Sequence, residues 1–237
     1  MGRSLLPMAL LALVAALGGT AVAASPDLDA IVSYETRQVL ANGTTRVETW
    51  QERLTRRADR VATERVLPPT ALAAHAHEHE REKVSKVEHL GHKHFDVDRT
   101  TRVLRLVDKA QVELAYVDRE QRRVVSVPKA EWAAVGFDGR YDAAAHLVPP
   151  ALIASLPVQA DAETGSQWHV QKNDGWTHRV LWSSSKQVAL RIESRRDDGS
   201  VSRVVTLKPA TALPASQLPW NEGVAGYQQM VYDDFMD

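Results

Sequence analysis

A mainly β (α+β) chain, with a single antiparallel sheet and a few short helices covering it, is the fold class this sequence predicts. Three observations lead there. The turn dipeptides Asn42-Gly43 and Asp198-Gly199 each separate two runs of strand-forming residues. Four short valine-rich runs between them, residues 59–66, 102–107, 112–117 and 124–127, read as a meander. Helical signals are confined to the middle of the chain, at residues 128–134, 142–147 and 151–156.

In chain order, Arg3 is a short positive region, Leu5 to Leu17 is apolar, and Ala21-Val22-Ala23 or Val22-Ala23-Ala24 supplies small residues for cleavage. Residues 1–24 therefore read as a cleaved secretory signal peptide. The apolar run falls short of the roughly twenty residues that a membrane span needs, and no later stretch qualifies. The expectation is a mature chain beginning at Ala24 or Ser25, exported to the periplasm and soluble there. There is no cysteine, which excludes disulfides and a lipid-attachment cysteine and leaves stability to a packed core. Lys and Arg number 29 against 30 Asp and Glu, a balance that argues against a nucleic-acid binder. With no internal repeat or composition break, residues 25–237 are expected to form one domain, with a histidine-rich insert at about 70–95.

A two-residue turn at Asn42-Gly43 between residues 30–41 and 44–54 sets Arg37 opposite Glu48. That register puts Ile31, Trp50 and Leu54 on one face and Val32, Tyr34, Leu40 and Val47 on the other. Pro149-Pro150 precedes residues 151–156, where the first turn of a helix accepts proline. After a turn at Asn173-Asp174-Gly175, the residues Trp176, His178, Val180 and Trp182 alternate at period two. Counting outward from Asp198-Gly199 pairs Ile192 with Val205 and Leu190 with Leu207, with Arg191 and Glu193 on the opposite face. Trp176, Val180, Trp182, Leu190, Ile192, Val205 and Leu207 thus make one apolar side, where His178 is expected to be a hydrogen-bonded core histidine. The tail at residues 227–237 is aromatic and acidic and either docks as a last strand or hangs free.

Six of the nine histidines, His75, His77, His79, His89, His92 and His94, fall within twenty residues. Neutral imidazole is a ligand for zinc and copper. The alternation at 75, 77 and 79 puts three rings on one face of an extended segment, whereas in a helix only His75 and His79 share one. Gly91 lets the second group fold toward the first, and Glu78, Glu80, Glu82 and Glu88 are weaker ligands nearby. No zinc-finger or zinc-protease spacing is present, so the signal is compositional and competes with a solvated, mixed-charge segment. The possible metals are zinc or copper; no cofactor is required.

Catalytic signatures are absent. There is no Gly-x-Ser-x-Gly elbow, phosphate loop or dinucleotide glycine pattern. A hydrolytic metal site with Glu78 or Glu88 as base is the enzymatic reading with a residue basis, and the chain is expected not to be an enzyme.

The order of signal peptide, meander, short helices and closing hairpin resembles the LolA-like periplasmic lipoprotein carriers and the related sigma-factor regulator RseB. The resemblance rests on residues 168–208, through Trp168, Trp176 to Trp182, Leu190 to Glu193 and Asp198-Gly199. It implies a strongly curved, open half-barrel whose apolar concave side, lidded by the mid-chain helices, takes an acyl chain or a lipoprotein. It also implies a membrane-associated partner protein to pass that cargo to. The histidine-rich insert departs from that pattern. A periplasmic zinc- or copper-binding protein is the alternative.

Overall fold

The computed structural model describes residues 25–68, 99–108, 111–159 and 165–236. The expected signal peptide and all six clustered histidines lie outside the described residues. Twelve strands form one sheet: β1 (Leu28–Val39), β2 (Thr45–Arg57), β3 (Arg60–Arg65), β4 (Thr101–Val107), β5 (Gln111–Asp118), β6 (Arg123–Val127), β7 (Val158–Gln159), β8 (Ser166–Asn173), β9 (Trp176–Ser183), β10 (Val188–Arg196), β11 (Val201–Pro209) and β12 (Gln228–Val231). Three short helices accompany them among the described residues: α1 (Tyr141–His146), α2 (Pro150–Ser155) and α3 (Tyr232–Met236).

The strand order is β12-β6-β5-β4-β3-β2-β1-β11-β10-β9-β8-β7, a line whose ends do not pair, so the sheet is unclosed. It is also strongly curved. Helix α1 approaches both β4 and β10, which lie five places apart in the order and would be about 24 Å apart in a flat sheet. A six-residue helix is only about 9 Å long, so the sheet must curl around it. The predicted class, mainly β with an open half-barrel and a few covering helices, is the observed one. The single antiparallel sheet needs one correction: β12 docks against β6 in parallel, so the acidic tail is a last strand of opposite sense. Residues 128–134 supply a three-residue 3-10 turn, Lys129–Glu131, followed by turns rather than a longer helix.

The first hairpin is shifted by one residue from its expected register. Thr36, not Arg37, faces Glu48, and Tyr34 faces Trp50. The loop has three residues, not two: Leu40 N–H bonds to Thr44 O at 2.8 Å and Gly43 N–H to Leu40 O at 2.9 Å, with Gly43 at φ +80°. Asn42 Oδ1 accepts from both the N–H and the hydroxyl of Thr44, which holds a type I turn closed by a left-handed glycine. A one-residue slip moves every side chain to the other face. Val32, Tyr34, Trp50 and Leu54 therefore share one face, and the expected mixing of apolar residues over both faces is overturned.

Asp174-Gly175 and Asp198-Gly199 do close tight turns, with positive φ at Asp174, Gly175 and Gly199. Ile192 faces Val205 as read from the sequence. A bulge between Ala189 and Arg191 ends that regularity, and the β10–β11 pairing stops at Arg191 with Thr206. The expected Leu190–Leu207 pair is therefore not formed.

The core lies inside the curve. One cluster gathers Leu28, Ala30, Val32, Leu54, Val61, Leu104, Leu114, Tyr116, Val127 and Leu207 from the sheet with Tyr141 and Ala145 of α1. A second joins Val180, Trp182, Ala189 and Ile192 to Val148 and to Ile153 of α2. On the convex side, the C-terminal segment presses Trp220 against Ala62, Val103 and Val117.

Candidate functional site

Cross-strand partners share a face, so the registers map the concave surface row by row. At the helix end, Leu28, Arg56, Val61, Leu104, Leu114 and Val127 form a continuous row across β1 to β6. The next row carries Ala30, Leu54, Thr63, Arg102, Tyr116 and Val125. Farther toward the first hairpin tip come Leu207, Val32, Glu52 and Arg65, and then Val180, Ile192, Val205, Tyr34 and Trp50. The outermost row holds His178, Ser194, Arg203 and Thr36.

The helices fill only part of this surface. Val180, Trp182, Ile192 and Leu207 of the sequence-predicted set are buried, the first three packed beneath α2 and the segment before it. Trp176, Leu190 and Val205 are half-buried, as are Tyr34 and Trp50. The predicted residues thus divide into a packed group and an accessible group. His178 Nδ1 lies 2.9 Å from Ser194 Oγ, hydrogen-bonded as expected, but the ring is half-buried in the outermost row and not part of the core.

Arg56 fastens the helix end to the sheet. Only 1% exposed, it donates to Pro26 O at 3.0 Å, Ala145 O at 2.8 Å, Gln187 O at 3.1 Å and Lys186 O at 2.5 Å. One guanidinium on β2 thereby holds the C-terminal turn of α1 and the β9–β10 turn together, using the several donors of a planar fork. His146 also donates from Nδ1 to Gln187 O at 2.5 Å. Burial, partly offset by that bond, lowers the pKa of its imidazole, and the Arg56 charge adds to the lowering. Burial also lowers the pKa of Arg56 itself.

Toward the hairpin tips the face turns aromatic and cationic. Tyr34 and Trp50 stack with centroids 4.8 Å apart, and the Arg65 guanidinium lies 5.3 Å from the Trp50 ring centre. Across the curve, Trp176 stacks on His178 at 5.9 Å and takes Arg203 at 5.6 Å. Tyr34 donates to Glu52 Oε2 at 3.0 Å, and burial together with that carboxylate pushes its phenol pKa far up. Sequence reading missed Tyr34, Trp50, Arg65, Arg102 and Arg203 as one surface. Only the corrected first register brings Tyr34 and Trp50 to the same side.

The described histidines, His146, His169 and His178, all have protein partners. Among the described residues no group of three or more His, Asp or Glu side chains is arranged to hold a metal ion, and no helix is long and apolar enough to cross a membrane.

No family model matches the chain and no curated protein does. Solved structures do. PNGF-II matches at 12% identity and a TM-score of 0.33 over 88% of this chain, which spans only 33% of that protein. A domain described as an outer membrane lipoprotein-sorting protein from Vibrio parahaemolyticus matches at 11% identity over 80% of this chain and 88% of that one, TM-score 0.30. A LolA superfamily protein from Nitrosomonas europaea matches at 8% identity over 81% and 90%, TM-score 0.31. The last two are of the kind that the sequence resembles, while the open half-barrel itself is established by the strand order and curvature of this chain.

Proposed function

We propose that this chain is a non-enzymatic binding or carrier protein, exported to the periplasm, that holds an apolar ligand such as a lipid or lipoprotein acyl chain on the concave face of its open sheet. One observation carries the reading: the helices bury Val180, Trp182 and Ile192 but leave Trp176, Val205, Tyr34 and Trp50 only partly buried on the same face. A sheet built only to enclose a core would cover that whole face. Aromatic and aliphatic side chains lining a trough that water can enter suit an acyl chain. A membrane-associated acceptor is part of the same proposal.

Two tryptophan variants separate trough from core. Trp182→Ala removes a packed ring and is expected to cost about 3–5 kcal/mol of stability. Trp176→Ala, on the accessible part, is expected to cost less than about 1.5 kcal/mol and to weaken binding of a fluorescent fatty-acid probe several-fold. Thermal melts and probe titrations measure both. A wild-type protein that takes up no probe refutes the carrier reading.

A further inference from the structure

The concave face holds more positive charge than a trough for hydrocarbon needs. Arg65 and Arg102 stand on adjacent strands, Arg102 opposite Thr63 and Arg65 two residues farther along β3. Residues diagonal in this way have Cα atoms about 7–8 Å apart, within reach of one another's long side chains. The nearby carboxylate, Glu52, is engaged by the Tyr34 hydroxyl and makes no ion pair with either arginine among the described residues. Arg102 Nε is buried without a hydrogen-bond acceptor, and a buried charged donor left unmatched is costly enough that proteins rarely keep one. Among the described residues Arg65 has a ring partner but no hydrogen-bond or ion-pair acceptor, and Arg203 across the curve is the same, lying over Trp176. Beside these cations the floor is apolar: Tyr34 and Val205 face each other in one row.

We infer that Arg65 and Arg102 form a subsite for the anionic headgroup of an amphiphile whose acyl chain lies on the floor made by Tyr34 and Val205. The inference rests on the carrier reading and sharpens it, naming an acidic single-chain lipid as ligand class. A guanidinium fork matches a carboxylate or phosphate in two parallel hydrogen bonds. Its weak hydration and its stacking on tryptophan let it sit at the edge of an apolar surface at modest cost. Because Arg102 is already half-buried and its Nε unpaired, an incoming anion gains more there than at an exposed arginine.

Oleate and its uncharged counterpart oleyl alcohol, each below its aggregation limit, are the probes. Titration of the mature protein, followed by tryptophan fluorescence and calorimetry, is expected to show oleate binding about tenfold tighter, one charge-assisted hydrogen bond's worth. Arg65→Gln with Arg102→Gln should abolish that preference, oleate affinity falling to that of oleyl alcohol in the same variant. Raising ionic strength from about 0.01 to 0.5 M should shrink the preference in the unmutated protein, a readout that stands even if the double variant folds poorly. Equal affinity for the two probes, or a preference indifferent to both salt and the substitutions, overturns the headgroup subsite and leaves the trough reading in place. Binding of neither probe overturns both.

Discussion

Arg56→Met tests whether one side chain ties the covering helix to the sheet. The substitution keeps most of the aliphatic bulk and removes every donor. Of the four carbonyls served by Arg56, those of Pro26 and Lys186 belong to exposed residues and regain water. Gln187 O keeps the His146 N–H. Ala145 is fully buried and its carbonyl, in the last turn of α1, loses its side-chain donor. An acceptor left buried and unpaired costs about 1–3 kcal/mol, and each charge-assisted bond lost to a partly wet carbonyl adds a smaller amount. Met recovers part of the cost of burying the guanidinium, so the net loss is expected to be about 2–4 kcal/mol. For a domain of this size that corresponds to a Tm lower by about 4–16 °C. Arg53→Met is the control: among the described residues Arg53 donates only to Thr211 O, at 3.4 Å, and its loss is expected within about 0.5 kcal/mol. Chemical denaturation followed by circular dichroism measures both variants. A loss below about 1 kcal/mol for Arg56→Met, or equal losses in the two, refutes the assignment of α1 docking to Arg56.

The imidazole of His146 has a folded-state pKa below its unfolded value of about 6.5. The unfolded chain therefore binds the extra proton first, and stability is expected to fall as pH drops below about 6.5 until the folded value is passed; denaturation midpoints at pH 7.5 and 5.0 show this, and His146→Gln should flatten the difference. A Cβ at Gly223 would lie 1.7 Å from the Leu218 carbonyl oxygen, so Gly223→Ala should loosen the Trp220 segment from the convex face at a cost of about 1–3 kcal/mol, read as earlier quenching of tryptophan emission by acrylamide. For the histidine-rich segment, zinc or copper affinity is expected to decline from about pH 7.5 to 5.5, since imidazole must be neutral to coordinate. Replacing His75, His77, His79, His89, His92 and His94 by alanine should remove it, and calorimetry showing equal affinity in both proteins would refute that role.

Local chemistry was legible wherever a turn and its flanking pattern agreed. The Asp198-Gly199 hairpin gave the Ile192–Val205 pair directly, and Arg191 and Glu193 do share the other face, bonded at 2.6 Å. The same logic slipped by one at Asn42-Gly43, because a side-chain bond from Asn42 selected a three-residue loop that the dipeptide alone does not distinguish from a two-residue one. A single residue there decided whether Tyr34 and Trp50 met. The bulge at Leu190 has no glycine to announce it. Arg56 was invisible for a different reason: in Glu52-Arg53-Leu54-Thr55-Arg56-Arg57 it looks like any charged strand residue. Its role depends on carbonyls about 90 and 130 positions away that only the folded chain delivers.

The short outer strands limit what an open sheet can pair with. An open sheet, unlike a closed barrel, always has two ladders of unsatisfied backbone groups that another molecule can extend. Here the outermost strands offer four residues at one side, β12, and two at the other, β7. Both carry an exposed valine, Val231 and Val158, so brevity rather than charge limits their capacity as templates. Chains cut after residue 226 would lose β12 and uncover the five residues of β6 as the edge. Loss of residues 227–237 is therefore expected to leave a longer edge for another chain to extend.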